Sequence, residues 1–230
     1  SFPVHSIHLT IINSRGNDGE QENTLQLDRD AAMAIGEYAP GAEVVAGGRI
    51  WTSAGISRRG VASHGEAYIA RRWHRVCPAC SHPDVRNDRD DFEDSCPQCG
   101  IQIKERKRQF IEPLGFITSY SDRFGRVPGS SRVRIKKIDE ARLITRPALE
   151  DYKPSDLTDV LSFFAPAIAR DGEVAGKMLV INRGPTGNGY FWCRKCEHSE
   201  PAPLGAMFSN GGIERKHRNP RTGDPCPATT

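Results

Sequence analysis

The residues able to do chemistry in this chain are above all its cysteines. Cys77-Pro78-Ala79-Cys80 and Cys96-Pro97-Gln98-Cys99 are two C-x₂-C pairs separated by fifteen residues. That spacing lets two tight turns aim four thiolates at one tetrahedral Zn²⁺. Pro78, Pro97 and the Gly100 after the second pair are residue types that favour such turns. The plainer alternative is a pair of disulfides or unrelated thiols. In an intracellular protein, where thiols stay reduced, paired C-x₂-C motifs read instead as a metal site.

A third pair, Cys193 and Cys196, needs two further ligands, and the C-terminal tail offers His217 and Cys226. The pattern Cys193-x₂-Cys196-x₂₀-His217-x₈-Cys226 is a Cys₃His set. His198 competes with His217, but it lies two residues after Cys196 and would have to fold back sharply. A bland account makes Cys226 a free tail thiol and His217 a surface residue. On the metal reading, the seven cysteines and His217 divide into two complete sets with none left over, so two Zn²⁺ ions are expected. Hydrophobic residues are 37% of the chain and mean hydropathy is −0.55, so the core is modest and bound metal is expected to carry part of the folding free energy.

Catalytic patterns are imitated rather than met. His64-Gly65-Glu66 followed by Cys77 and Cys80 resembles the H-x-E…P-C-x-x-C signature of zinc deaminases. Only ten residues separate Glu66 from Cys77, Val76 stands where Pro is required, and Cys96 and Cys99 already close the shell. A four-thiolate site leaves no position for a water and is structural. Gly172-x₃-Gly176-Lys177-Met178 falls short of a phosphate-binding loop, which needs four intervening residues and Ser or Thr after the Lys. No catalytic residue is assigned. His5, His8, His74 and His82 read as ordinary sheet or loop residues.

The elements that must position these ligands are mostly strands. Residues 1–13 alternate as a strand does, with Ile7, Leu9 and Ile11 on one face, and Ser14 to Asn23 is a polar loop. Leu25 to Ile35 suits a short helix after the capping type Asp28. Glu43 to Val45 and Arg49 to Ile56 are strands joined by Gly47-Gly48, suggesting a small barrel-like sheet. Ala67 to Val76 and Ile101 to Ile111 read as the strands flanking a zinc ribbon, with a polar loop between its turns. Phe116 to Arg126 reads as a loop, Ser131 to Ile144 as a strand or hairpin, and Asp156 to Ala169 as a helix interrupted by Pro166. Lys177 to Asn182 is an apolar run typical of a buried strand, turning through Gly184 to Gly189 into a hairpin that delivers Cys193. The expected fold is α+β and β-rich: an N-terminal sheet over 1–66, an inserted zinc ribbon over 67–115, and a β-rich region over 116–230 ending in the Cys₃His module.

Charge is unevenly spread. Net charge is only +3. Residues 81–95 carry six acidic against two basic side chains, whereas residues 101–150 carry twelve basic against six acidic. Lys104, Arg106, Lys107 and Arg108 leave the second knuckle together, and Arg132, Arg134 and Lys136 alternate with Val133 and Ile135, so a strand there presents a basic row on one face. Arg132, Arg134, Lys136, Lys104, Arg106 and Arg108 are the candidate phosphate contacts, with a solvated sheet face as the alternative. No apolar run approaches the ~18 residues of a membrane span, and the first twelve residues lack the features of a signal peptide. The expectation is a cytoplasmic protein without a membrane partner, and the missing initiator Met suggests a piece of a longer chain.

The run Ala34-Ile35-Gly36-Glu37-Tyr38-Ala39-Pro40-Gly41-Ala42-Glu43-Val44-Val45, then Gly48-Arg49-Ile50-Trp51-Thr52-Ser53-Ala54-Gly55-Ile56, then the closing Cys-x-x-Cys…His…Cys, resembles the C-terminal zinc-binding region of bacterial DEAD/DEAH superfamily 2 helicases. That class includes MrfA-type repair helicases and the large helicases of DISARM and Druantia antiphage systems. The resemblance runs from about residue 25 to 226 and implies zinc at Cys193, Cys196, His217 and Cys226. The two motor domains, with their Walker A and DEAH motifs, are absent. What is implied is therefore an accessory region that binds DNA or organises helicase motor domains in cis or in trans, with no ATPase activity of its own. An assembly scaffold binding partner subunits of a defence complex is the alternative.

Overall fold

In β1 (Ser6–Ile11), the side chains of Ile7, Leu9 and Ile11 are almost wholly buried, as the alternation requires. A computed structural model describes residues 6–13, 25–58, 68–129, 140–143, 178–193, 195–203 and 216–227. It is strand-rich, α+β, with a curled half-barrel sheet and two cysteine-rich clusters. Two units share the chain, one drawn from Ser1–Ala70, Ile111–Asp139 and Ile181–Thr230, the other from Arg71–Phe110 and Glu140–Val180.

The first unit is built on a five-stranded sheet in the order β2-β1-β8-β4-β3. Its strands are β1, β2 (Leu25–Asp30), β3 (Glu43–Ala46), β4 (Arg49–Ile56) and β8 (Gly115–Thr118). The expected helix over Leu25 to Ile35 is corrected. Residues 25–30 pair with all of β1, Leu27 opposite Leu9, and the helix α1 occupies Ala31–Glu37. Its cap is Asp30 rather than Asp28, with Oδ1 accepting from the Ala32 N–H at 3.0 Å. A six-residue ladder outweighs the helical preference of the segment before Ala31.

The hairpin at Gly47-Gly48 forms as expected. Both glycines have positive φ, +55° and +70°, the requirement of a two-residue turn matched to strand twist. The Tyr38-Ala39-Pro40-Gly41-Ala42 segment then locks onto β4. Ser53 N–H donates to Ala42 O at 2.9 Å, Gly41 N–H donates to Ser53 O at 2.6 Å, and Ser53 Oγ donates to Tyr38 O at 2.7 Å. Tyr38 is buried, its ring edge-on to Phe116 at 6.5 Å. With Ile7, Leu9, Ile11, Trp51 and Phe116 it forms the core of this unit.

The loop expected from Phe116 onward is also corrected. Gly115–Thr118 is β8, a wholly buried central strand, parallel to β1 and antiparallel to β4. A one-turn 3₁₀ helix, Tyr120–Asp122, follows it. β4 and β8 are neighbours although nearly sixty residues separate them, and Ser57 N–H donates to Gly115 O at 2.9 Å where they meet. The whole ribbon is therefore inserted between two adjacent strands.

The second unit holds the ribbon, a three-stranded sheet in the order β6-β5-β7 from β5 (Tyr68–Val76), β6 (Pro83–Arg86) and β7 (Arg108–Pro113). The polar loop between the knuckles thus contains a strand. The strand expected from Ile101 starts only at Arg108. Before it, Gln102 makes a single bridge to Ser95, Ile103 is buried and Ile101 is 48% exposed. β9 (Glu140–Leu143) pairs with β10 (Met178–Ile181), and β11 (Tyr190–Trp192) pairs with β12 (Ser199–Pro201). The hairpin expected through Gly184 to Gly189 is accordingly replaced, since β10 and β11 lie in different sheets and the strand partner of β11 comes after the cysteines. The helix expected over 156–169 lies outside the described residues.

Candidate metal centres

The two knuckles of the ribbon repeat one hydrogen-bond pattern. Cys77 N–H donates to His82 O at 2.9 Å while Ser81 N–H donates to Cys77 O at 2.9 Å. Likewise Cys96 N–H donates to Ile101 O at 2.7 Å and Gly100 N–H donates to Cys96 O at 2.9 Å. Each turn closes with a residue of positive φ, Ser81 at +59° and Gly100 at +73°, a conformation glycine adopts freely and other residues at a cost. These turns bring Cys77 Sγ to 3.7 Å from Cys99 Sγ and Cys80 Sγ to 3.7 Å from Cys96 Sγ. All four sulfurs lie within 4.8 Å of one another, so the set can hold a metal ion.

A buried ion pair links the strands around the first knuckle to the residue before the second. Asp84 Oδ2 on β6 accepts from Arg75 Nε at 3.1 Å and Nη2 at 2.9 Å, and Arg75 also donates to Ser95 O at 3.1 Å, directly before Cys96. The Arg75 and Asp84 side chains are 2% and 3% exposed. Phe92 covers the guanidinium at 5.0 Å. One of the six acids counted in the loop is thus spent inside the fold.

The C-terminal set uses the same knuckle in a different setting. Cys193 N–H donates to His198 O at 2.8 Å, and Lys195 and Cys196 N–H groups point at Cys193 Sγ from 3.4 and 3.5 Å. A small tail hairpin supplies the other two ligands. Cys226 N–H donates to His217 O at 3.0 Å, and Gly223 N–H donates to Asn219 O at 2.8 Å. Cys193 Sγ lies 3.6 Å from Cys226 Sγ, and Cys196 Sγ lies 3.2 Å from His217 Nε2. The four ligand atoms again fall within 4.8 Å of one another. His198, the competing ligand, stacks on the His217 ring at 4.9 Å.

This knuckle is seated on the sheet by Glu197. Its carbonyl accepts from Ile56 N–H of β4 at 2.9 Å, next to Gly55, where a Cβ would stand 1.9 Å from that same oxygen. Only glycine allows this approach. The Glu197 carboxylate receives Arg221 of the tail hairpin in bidentate fashion, at 2.9 and 2.8 Å, and Arg58 N–H at 2.6 Å. Tyr120 N–H donates to Pro220 O at 2.6 Å. The Gly/Pro/Arg-rich tail is therefore tied down by groups that spacing alone did not single out. A glycine inside a strand was the one available signal.

Both sets could hold a cation, and their thiol electrostatics favour one. In the ribbon, the knuckle N–H groups, that of Cys80 first, hold the Cys77 thiol down to about 7. Cys99, although the Ile101 N–H favours its thiolate, is pushed up to about 12 by desolvation and by the thiols of Cys80, Cys96 and Cys77. In the second set burial works against Cys193, but the Cys196 and Lys195 N–H groups bring it to about 7. Burial and Cys193 itself push Cys196 upward. One thiolate forms readily in each set and the next is resisted, which a bound cation relieves.

Of the candidate phosphate contacts, Lys104, Arg106 and Arg108 are exposed, the last opening β7. Lys107 between them turns inward, its Nζ donating to Arg89 O at 3.0 Å and lying 5.2 Å from the Phe92 ring. Arg132, Arg134 and Lys136, like His64 and Glu66, lie outside the described residues. Among the described residues, no helix is long and apolar enough to cross a membrane. The chain matches no family model, no curated protein and no solved structure.

Proposed function

We propose that this chain is a zinc-stabilised accessory module that binds nucleic acid, DNA in the first instance, and serves DEAD/DEAH-type helicase motor domains in cis or in trans in repair or antiphage defence. The observation that supports the zinc part of the proposal is the pair of closed four-ligand sets, while the helicase part rests on the sequence resemblance alone. Sulfurs held about 2.3 Å from one tetrahedral Zn²⁺ sit roughly 3.8 Å apart, close to the 3.7 and 3.6 Å separations found. Four-thiolate and three-thiolate-one-imidazole shells suit Zn²⁺ and leave no open position, so the role of both metals is structural. Lys104, Arg106 and Arg108 leave the second knuckle exposed and supply the sequence-independent attraction that phosphate binding needs.

A second reading, a protein-docking scaffold of a multi-subunit complex, is favoured by one observation. The loop at the ribbon tip exposes Asp88, Asp90, Asp91, Glu93 and Asp94, a surface that repels phosphate and attracts a basic protein.

Elemental analysis of purified protein is expected to return close to two zinc ions per chain, and one or none would remove one or both sites. Titration with DNA at two salt concentrations separates the two readings. Affinity falling steeply with salt is expected for phosphate contacts, and replacing Lys104, Arg106 and Arg108 by Ala together is expected to flatten the slope by up to about three contacts. No binding to DNA at low salt would leave the scaffold.

A further inference from the structure

The residues after β8 gather cations and rings on one surface of the first unit. The Arg123 guanidinium carbon lies 4.5 Å from the Tyr120 ring centroid and 4.7 Å from that of Phe124, so one charge is held against two rings. Arg123 Nη1 also donates to Tyr120 O at 3.3 Å. Phe124 itself is 54% exposed. A large ring is thus braced by a cation while much of its surface stays in water.

Two more cations converge there. The tail hairpin rests on Tyr120, since a Cβ at Gly223 would stand 2.6 Å from its ring, and Arg218 Nη1 donates to Gly223 O at 2.8 Å. On the other side Arg49 Nη1 donates to Gly125 O at 3.1 Å. Among the described residues no carboxylate pairs with Arg49, Arg123 or Arg218. The neighbouring acids are engaged elsewhere or exposed: Asp122 accepts from Thr52 N–H at 2.8 Å, Glu43 pairs with Arg126 and Glu197 with Arg221, while Asp224 faces solvent.

We propose that this surface is a stacking platform for single-stranded nucleic acid, with Phe124 receiving a base and Arg49, Arg123 and Arg218 the phosphates beside it. The inference rests on the nucleic-acid reading above but assigns the contact to residues of the first unit instead of the ribbon. Exposed aromatic rings backed by arginine bind unpaired bases with little regard to sequence, because every base has a π-face, whereas a duplex hides those faces in its stack. Such a site suits a strand already opened by a motor.

The test uses the whole chain and a labelled oligo-dT strand, followed by fluorescence anisotropy, with metal content and thermal melting confirming the fold of each variant. Phe124→Ala is expected to weaken binding roughly five- to a hundredfold, and Phe124→Trp to retain it. With an abasic strand of equal length, Phe124→Ala should change nothing, because no base remains to stack. Arg218→Ala should lower the salt slope by about one contact. Unchanged oligo-dT binding by a folded Phe124→Ala variant, or a preference for duplex over single strand, would overturn the platform while leaving nucleic-acid binding at Lys104, Arg106 and Arg108 standing. No binding of any strand by the unsubstituted protein would remove both.

Discussion

The two metal centres share a knuckle and differ in what surrounds it. The ribbon draws all four ligands from residues 77–99, and the apolar cluster around them is small, Ile103 packed with Cys77, Cys80 and Cys96. Cys99 stays exposed. The C-terminal set spans residues 193–226, all three of its cysteines are buried, and its knuckle is joined to β4 through Glu197 and Ile56. The same ligand geometry is therefore set up for two jobs. A metal held in the ribbon would stand in for much of a hydrophobic core, and one held at the C-terminus would fix a knuckle and a tail hairpin against a core that already exists.

Breaking each centre in turn gives the largest expected effects. Cys96→Ser should cost one metal equivalent and unfold the ribbon, because a site that closes its own loop has little else to hold it. Cys193→Ser should likewise cost one equivalent, but loosen only the tail and the outer part of β4. Hydrogen exchange read strand by strand separates the cases, and equal loss of protection in β1 and β8 in both variants would contradict the division of labour.

Next in size is the ion pair inside the ribbon. Asp84→Asn leaves the Arg75 charge buried beneath Phe92 without a counter-ion, and removing one partner of such a pair costs about 3–5 kcal/mol. Thermal melting with metal bound should show this loss in the ribbon alone. A change below about 1 kcal/mol would mean that Arg75 with Asp84 adds little to holding the knuckles together.

The smallest effect is expected at the seat of the C-terminal centre. Gly55→Ala puts a methyl where the Glu197 oxygen sits, and overpacking of this kind costs about 1–3 kcal/mol. The variant should keep both metals while losing protection at the Ile56 amide. Protection retained at Ile56 would show that the knuckle can shift without leaving β4.

Much of this arrangement is legible in the residues. The three C-x₂-C pairs, the Gly47-Gly48 turn and the alternation of Ile7, Leu9 and Ile11 each follow from local chemistry, and local chemistry is what a sequence displays. The misreadings share a different cause. Leu25 to Asp30 is a strand because β1 offers it a partner, and Gly115 to Thr118 is a strand because β1 and β4, far away in the chain, leave a gap of that width. Pro83 to Arg86 looks like loop because Asp84 is charged, and it takes Arg75 across the ladder, with Arg86 on the other carboxylate oxygen, to make its burial tolerable. Gly55 and Glu197 could have been suspected, since a glycine within a strand marks a bulge or a close backbone approach. Neither names its partner from sequence.

The hydrogen bond from Ser57 N–H to Gly115 O bears on how such a chain could be assembled or pared down. The strands on either side of the ribbon already meet as the arms of an antiparallel hairpin, so the half-barrel does not need the fifty-odd residues between them to find its register. Excising residues 59–113 and bridging the gap with an Asn-Gly turn should leave a smaller folded protein with one metal, keeping Arg58 on Glu197 and Phe124 on its surface. The ribbon is then a cassette whose removal leaves the sheet that carries it intact.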